Sequence, residues 1–178
     1  HLTLESRSVE TAKAMIATRE VDGGFVKRPV ARPDLREEPV VTSECVCLLH
    51  AAHPLAKRAT LDPRALVSEP LILLGLGRSS RTHIETAFAA VGVRPNVRID
   101  THTVASAAAL AARRLGIAIV NGVLARPYVR EPLVERRFTP TLVQEYAFCT
   151  AANAPPSRLA EAFLALARER FGPLRAPG

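Results

Sequence analysis

The chain has 178 residues, 48% of them apolar, with no Trp, two Tyr and six Phe. That is enough apolar material to bury a core, as one domain or two small lobes, and it excludes a disordered chain. The balance of 24 basic against 17 acidic residues gives +7, and because only Lys13, Lys27 and Lys57 are lysines the excess is arginine.

His1 opens the chain and the only methionine is Met15, so the start reads as a processed or truncated end or a tag remnant. No basic segment followed by an apolar one stands there, so no secretion signal is visible, although a removed signal would leave the same picture. Leu2-Thr3-Leu4 reads as a strand. Val9, Ala12 and Ile16 share a helical face, and Gly23-Gly24-Phe25-Val26 returns as a second strand. Cys45-Val46-Cys47-Leu48-Leu49 and Leu71-Ile72-Leu73-Leu74 are continuous apolar runs, the pattern of strands buried on both faces. Gly75 and Gly77 break the second run. Ser79 or Ser80 then caps a helix with Ile84, Phe88 and Val91 inward.

Val97-Arg98-Ile99 is the next strand, followed by a helix from about Thr103 to Leu115, with Gly116 at its left-handed end. Ile117-Ala118-Ile119-Val120, Leu133-Val134 and Tyr146-Ala147-Phe148-Cys149 are further strands. A closing helix capped by Ser157 turns Leu159, Ala162, Phe163, Leu166 and Phe171 inward. Strands alternating with helices predict an α/β protein with a largely parallel sheet. Two Pro-rich stretches, 28–39 and 131–140, read as strands or linkers between lobes. They place residues 1–43 and 141–178 in one lobe and 44–140 in the other.

No apolar run reaches ~18 residues without a charge, so a spanning helix and a membrane partner are not expected. Three cysteines are too few for a disulfide framework and suit a reducing compartment, the cytoplasm. Cys45 and Cys47 point the same way on a strand, too far apart for easy bridging, and with Cys149 read as buried, inert thiols. The five histidines have no metal-ligand spacing, so neither a metal nor a cofactor is expected. Neither a nucleophile elbow nor an HExxH stands out, and Gly75-x-Gly77 lacks the distal glycine of a dinucleotide fingerprint, so no enzyme is expected. The arginines are scattered, paired only at 113–114 and 136–137, which argues against direct nucleic-acid binding.

Several segments together resemble the effector-binding domain of LysR-type transcriptional regulators. Ile16 and Val21-Asp22-Gly23-Gly24-Phe25 match a "GELDLAI"-like turn and strand. Glu44 to Leu49 followed by His53-Pro54-Leu55-Ala56 matches the "HPLA" element. Asp62 to Leu66, Glu69-Pro70-Leu71-Ile72, the loop and helix from Gly77, and Ala111-Ala112-Arg113-Arg114-Leu115-Gly116-Ile117-Ala118-Ile119-Val120 follow, the last like "VAAGLGIAIVP". The order of the set carries the resemblance. Arg136-Arg137-Phe138-Thr139-Pro140 is similar to regulators of octopine, nopaline and related amino-acid catabolism.

The resemblance implies an α/β fold of two Rossmann-like lobes joined by two crossover segments, periplasmic-binding-protein type 2-like, with a small-molecule effector held between them. Leu2 corresponds to the family's second strand, so the fold lacks its first strand and first ligand loop. DNA would be bound only through an N-terminal winged helix-turn-helix that this sequence does not contain. A homodimer or homotetramer is implied, pairing the helix around Ala12 to Ala17 with the mate's helix around Ile84 to Val91. Ligands of open α/β sheets sit beyond strand carboxyl ends, at helix N-termini. The implied ligand contacts are Ser6 and Ser8; Gly77, Arg78, Ser79 and Ser80; Thr101 and Thr103; and Asn121. The plainer alternative for each is an ordinary cap or turn worth ~1 kcal/mol. Lys27 ends its strand where relatives can carry a basic residue, and with Arg78 it would neutralise a carboxylate; the alternative is a solvated cation. The runner-up function is a periplasmic solute-binding protein delivering a small anion to a transporter. An enzyme on the same fold is a third reading.

Overall fold

The computed structural model describes residues 1–76 and 79–171. In chain order these form α1 (Val9–Ala17), β1 (Gly24–Lys27), β2 (Leu35–His50), β3 (Thr60–Leu61), α2 (Pro63–Leu66), β4 (Leu71–Leu74) and α3 (Ser79–Ala89). They continue with β5 (Val97–Thr101), α4 (Val104–Ala112), β6 (Ile117–Asn121), α5 (Gly122–Ala125), β7 (Leu133–Phe138), β8 (Val143–Ala151) and α6 (Arg158–Phe171). The chain divides into two units, His1–Thr42 with Gln144–Gly178 (unit 1) and Ser43–Val143 (unit 2).

In unit 1, β8 lies between β1 and β2. β1 runs antiparallel to β8, Gly24 opposite Cys149 and Lys27 opposite Tyr146. Successive β8 residues face opposite ways. Ala147 and Cys149 pack with Ile16 of α1, Val26, Val30 and Leu35. Phe148 packs with Val40 and with Ala160 and Ala167 of α6. Phe25 meets Phe148 edge-on at 5.4 Å and Phe171 at 5.9 Å, a favoured ring geometry.

Three sequence expectations change here. Leu2–Leu4 is not a strand, and its leucines are 55% and 75% exposed. A strand needs a hydrogen-bonding neighbour, and no described residue pairs with this segment. α1 buries Lys13 and Ile16, whereas Val9 is exposed; the Lys13 stem lies inside while its Nζ reaches Glu10 Oε1 at 3.0 Å, as long cationic side chains do. α6 turns Ala160, Phe163, Leu164, Ala167 and Phe171 inward, so Leu159 and Leu166 lie half exposed. The small alanines let the helix approach a sheet face already filled by phenyl rings.

In unit 2, β2 is flanked by β6 and β7 and followed through β6 by β4 and β5, while β3 sits on β7. β2 is antiparallel to both β6 and β7, whereas β4 is parallel to β5 and β6 and β3 to β7. The sheet is therefore mixed rather than largely parallel. Cys45, Cys47 and Leu49 face Ile84 and Phe88 of α3. Val46 and Leu48 face Val104, Ala107, Ala108 and Ala111 of α4. The period of two on β2 thus supplies two cores at once.

Both Pro-rich stretches contain strand. β2 starts at Leu35 and runs 16 residues through Pro39, tolerated because β2 is an edge strand in unit 1. β7 occupies most of the second stretch. α4 stops at Ala112, and the left-handed residue after it is Arg114 (φ 62°), while Gly116 has φ 156°. Among the described residues no helix is long and apolar enough to cross a membrane.

Candidate functional site

Parallel strands deliver their carboxyl ends to one edge of a sheet, and β4, β5 and β6 do this in unit 2. Leu74 at the end of β4 is level with Thr101 at the end of β5, and the Gly75 amide donates to the Thr101 carbonyl at 2.9 Å. Three residues beyond its Ile72–Ala118 pair with β4, β6 ends at Asn121 on the same edge. Thr101, Thr103 and Asn121 are therefore gathered there by topology.

Thr103 is the cap of α4. Its Oγ1 accepts from the Ser106 amide at 3.0 Å and lies 2.9 Å from Ser106 Oγ. This leaves the Val104 and Ala105 amides at a helix start, where N–H groups have no intrahelical acceptor and the helix dipole favours an anion. Asn121 is 4% exposed. Its Oδ1 accepts from the Leu124 amide, capping α5, and from Ser43 Oγ, at 3.1 and 3.0 Å. Ser43 Oγ in turn accepts from the Val123 amide at 3.0 Å. Asn121 is thus built into unit 2 from both sides.

Two further side chains stand at this edge. A Cβ on Gly75 would lie 3.8 Å from His102 Cε1, and Leu76 is 79% exposed. α3 begins at Ser79, so Ser79 and Ser80 lie inside the helix rather than before it. Gly77, Arg78 and the side chain of Ser79 lie outside the described residues.

Arg81, on the first turn of α3, is 7% exposed. Its Nε donates to Glu85 Oε1 and its Nη1 to Asp100 Oδ1, both at 2.6 Å, and Nη1 also lies 3.4 Å from the Leu74 carbonyl. Burial opposes its charge, but hydrogen bonds and charge from Glu85 and Asp100 outweigh that and hold the guanidinium more firmly protonated than usual. The i, i+4 spacing of Arg81 and Glu85 is a sequence signal. Nothing local connects Arg81 with Asp100.

In unit 1, Ser8 caps α1, its Oγ accepting from the Thr11 amide at 3.2 Å. Ser6 lines a groove of about 670 Å³ beside Gly23, Gly24, Phe25 and Phe148. Lys27 ends β1, half-buried, and does not line that groove.

Among the described residues no group of three or more His, Cys, Asp or Glu could hold a metal. Cys45, Cys47 and Cys149 are buried. Burial, with help from Glu37, pushes the Cys149 thiol up to about 11. At pH 8 almost no thiolate forms, so native Cys149 is expected to resist iodoacetamide while the urea-unfolded chain reacts fully. Equal labelling rates, read by mass spectrometry, would contradict this.

Comparison with known proteins bears on the fold. Residues 1–172 match the family described as the LysR substrate binding domain. The chain belongs to that family. A curated relative, "Regulatory protein NocR" of Agrobacterium tumefaciens (strain T37), is 28% identical over 162 residues, covering 91% of this chain and 54% of that protein. This LysR substrate-binding domain thus spans about half the length of the curated relatives it matches. The Synechocystis PCC6803 CcmR regulatory domain in complex with 2-PG superposes with a TM-score of 0.79 at 20% identity, covering 99% of this chain and 86% of that one. The effector binding domain of QuiR in complex with shikimate gives 0.73 at 17% identity, covering 96% and 81%. At these identities the likeness is one of fold: a mixed α/β sheet with helices on both faces.

Proposed function

We propose that this LysR substrate-binding domain is the effector-sensing part of a DNA-binding transcriptional regulator, taking a small carboxylate or amino-acid-like metabolite without turning it over. The observation that carries the reading is the shared carboxyl edge of β4, β5 and β6, where the capped start of α4 meets the hydroxyls of Thr101 and Thr103. An anion there gains hydrogen bonds from backbone amides that are already aligned. Fold neighbours described in complex with 2-PG and with shikimate are precedents for small ligands on this architecture. Ser6, Ser8, Gly77, Arg78, Ser79 and Ser80 are proposed as further contacts. Lys27 is proposed as a cation for the same class of ligand. The regulator is a homodimer or homotetramer in this reading. Its DNA contact lies in a winged helix outside this sequence, and effector binding shifts subunit arrangement by a coupling of about 1–3 kcal/mol.

A thermal-shift screen of carboxylates and amino acids, shikimate included, tests the reading. A compound at 100 times its Kd stabilises the folded chain by about 2.7 kcal/mol. For a chain of this size that raises Tm by roughly 5–10 °C. The reading fails if every compound leaves Tm unchanged.

A further inference from the structure

We propose that Arg81 is the positioning residue of the unit 2 edge, a role that rests on the functional reading of that edge. Its guanidinium reaches three elements: Glu85 on its own helix, the last carbonyl of β4 at Leu74, and Asp100 near the end of β5. The two gripped strand ends lead directly into Gly75–Leu76 and Thr101–Thr103, so one planar fork sets the starting points of both loops relative to α3. Only arginine offers donors spread widely enough to do this; a lysine is a single point of charge.

The partners show that holding the fold together is the lesser part of its work. The Arg81 side chain is 8% exposed, but those of Glu85 and Asp100 are 42% and 54% exposed. Removing Arg81 therefore leaves two carboxylates that water can solvate, not an orphaned buried charge. What is lost is the fixed distance between strand ends. Thr103 is two residues past the end of β5, so the start of α4, with its ligand-facing amides, moves with that strand end. Tightly held groups bind a ligand at lower ordering cost than loose ones.

Amide hydrogen exchange of the ligand-free chain is the deciding test. The reporters are the Gly75 amide, bonded to Thr101 O, and the Ser106 amide, bonded to Thr103 Oγ1. In Arg81→Ala both are expected to exchange roughly tenfold faster or more, while amides 118–120 of β6 keep their rates. Asp100→Asn should loosen the Ser106 reporter more than the Gly75 reporter. Arg81→Lys should restore Tm without restoring both reporters. Unchanged reporters in Arg81→Ala, or reporters that speed up only in step with amides 118–120, would overturn the proposal. A binding arm uses shikimate, succinate and L-glutamate by calorimetry, with weaker affinity expected in Arg81→Ala for whichever binds. No binding to the wild-type chain counts against the sensing function, and the exchange arm still decides on Arg81.

Discussion

Gly116→Ala is expected to lower the unfolding free energy by about 3 kcal/mol, summing overpacking of about 1–3 kcal/mol with a weakened hydrogen bond of about 1 kcal/mol. A Cβ at this position would sit 2.5 Å from the Pro70 carbonyl oxygen and 3.2 Å from Ile72 Cγ1. The first neighbour is backbone. It is also the acceptor of the Ile117 amide at 2.9 Å, the bond that begins the β6–β4 contact. It cannot retreat without opening that contact, and φ 156° already favours glycine. Urea unfolding should show a lower midpoint with an unchanged slope, and a loss under about 1 kcal/mol would show that the two strands part easily.

Asn121→Ala is expected to cost about 2–4 kcal/mol, because it removes a helix cap and leaves buried donors unpaired. The Leu124 amide loses its acceptor, and Ser43 Oγ loses the group it donates to. Asn121→Asp keeps an oxygen at the same place and should be milder above the carboxyl pKa, then worsen as acid protonates it. Chemical denaturation at pH 7 and pH 4 reads both. If the alanine variant is as stable as the parent, water replaces the carboxamide without loss, and Asn121 is not a structural post of the site.

Much of the fold was legible before any coordinates. The run 45–49 alternates between two cores because strand residues face opposite ways, and the apolar run 71–74 is buried because β4 has a neighbour on each side. The ordered motifs from His53-Pro54-Leu55-Ala56 to Gly116-Ile117-Ala118-Ile119-Val120 were enough to point to the family. Thr103 was legible as a cap because it precedes an alanine-rich helix. Other assignments failed where a local pattern needed a partner. Leu2–Leu4 has the composition of a strand but no partner strand among the described residues. Leu159, Ala162 and Leu166 of α6 share the same period as the true inward stripe, and nothing in the period says which stripe meets the sheet.

The amino-acid order alone determined most of the strands and helices, where much of the apolar surface lies, and that Thr103 caps a helix. These follow from spacing of residues near one another in the chain. Only the tertiary structure decided that β2 runs against β6 and β7, that Lys13 lies inside and Leu159 outside, and that Arg81 meets Asp100, 19 residues away. Such facts depend on which surfaces come into contact. A periodic pattern states that a face must be covered, and the choice of cover is made by packing across the whole unit.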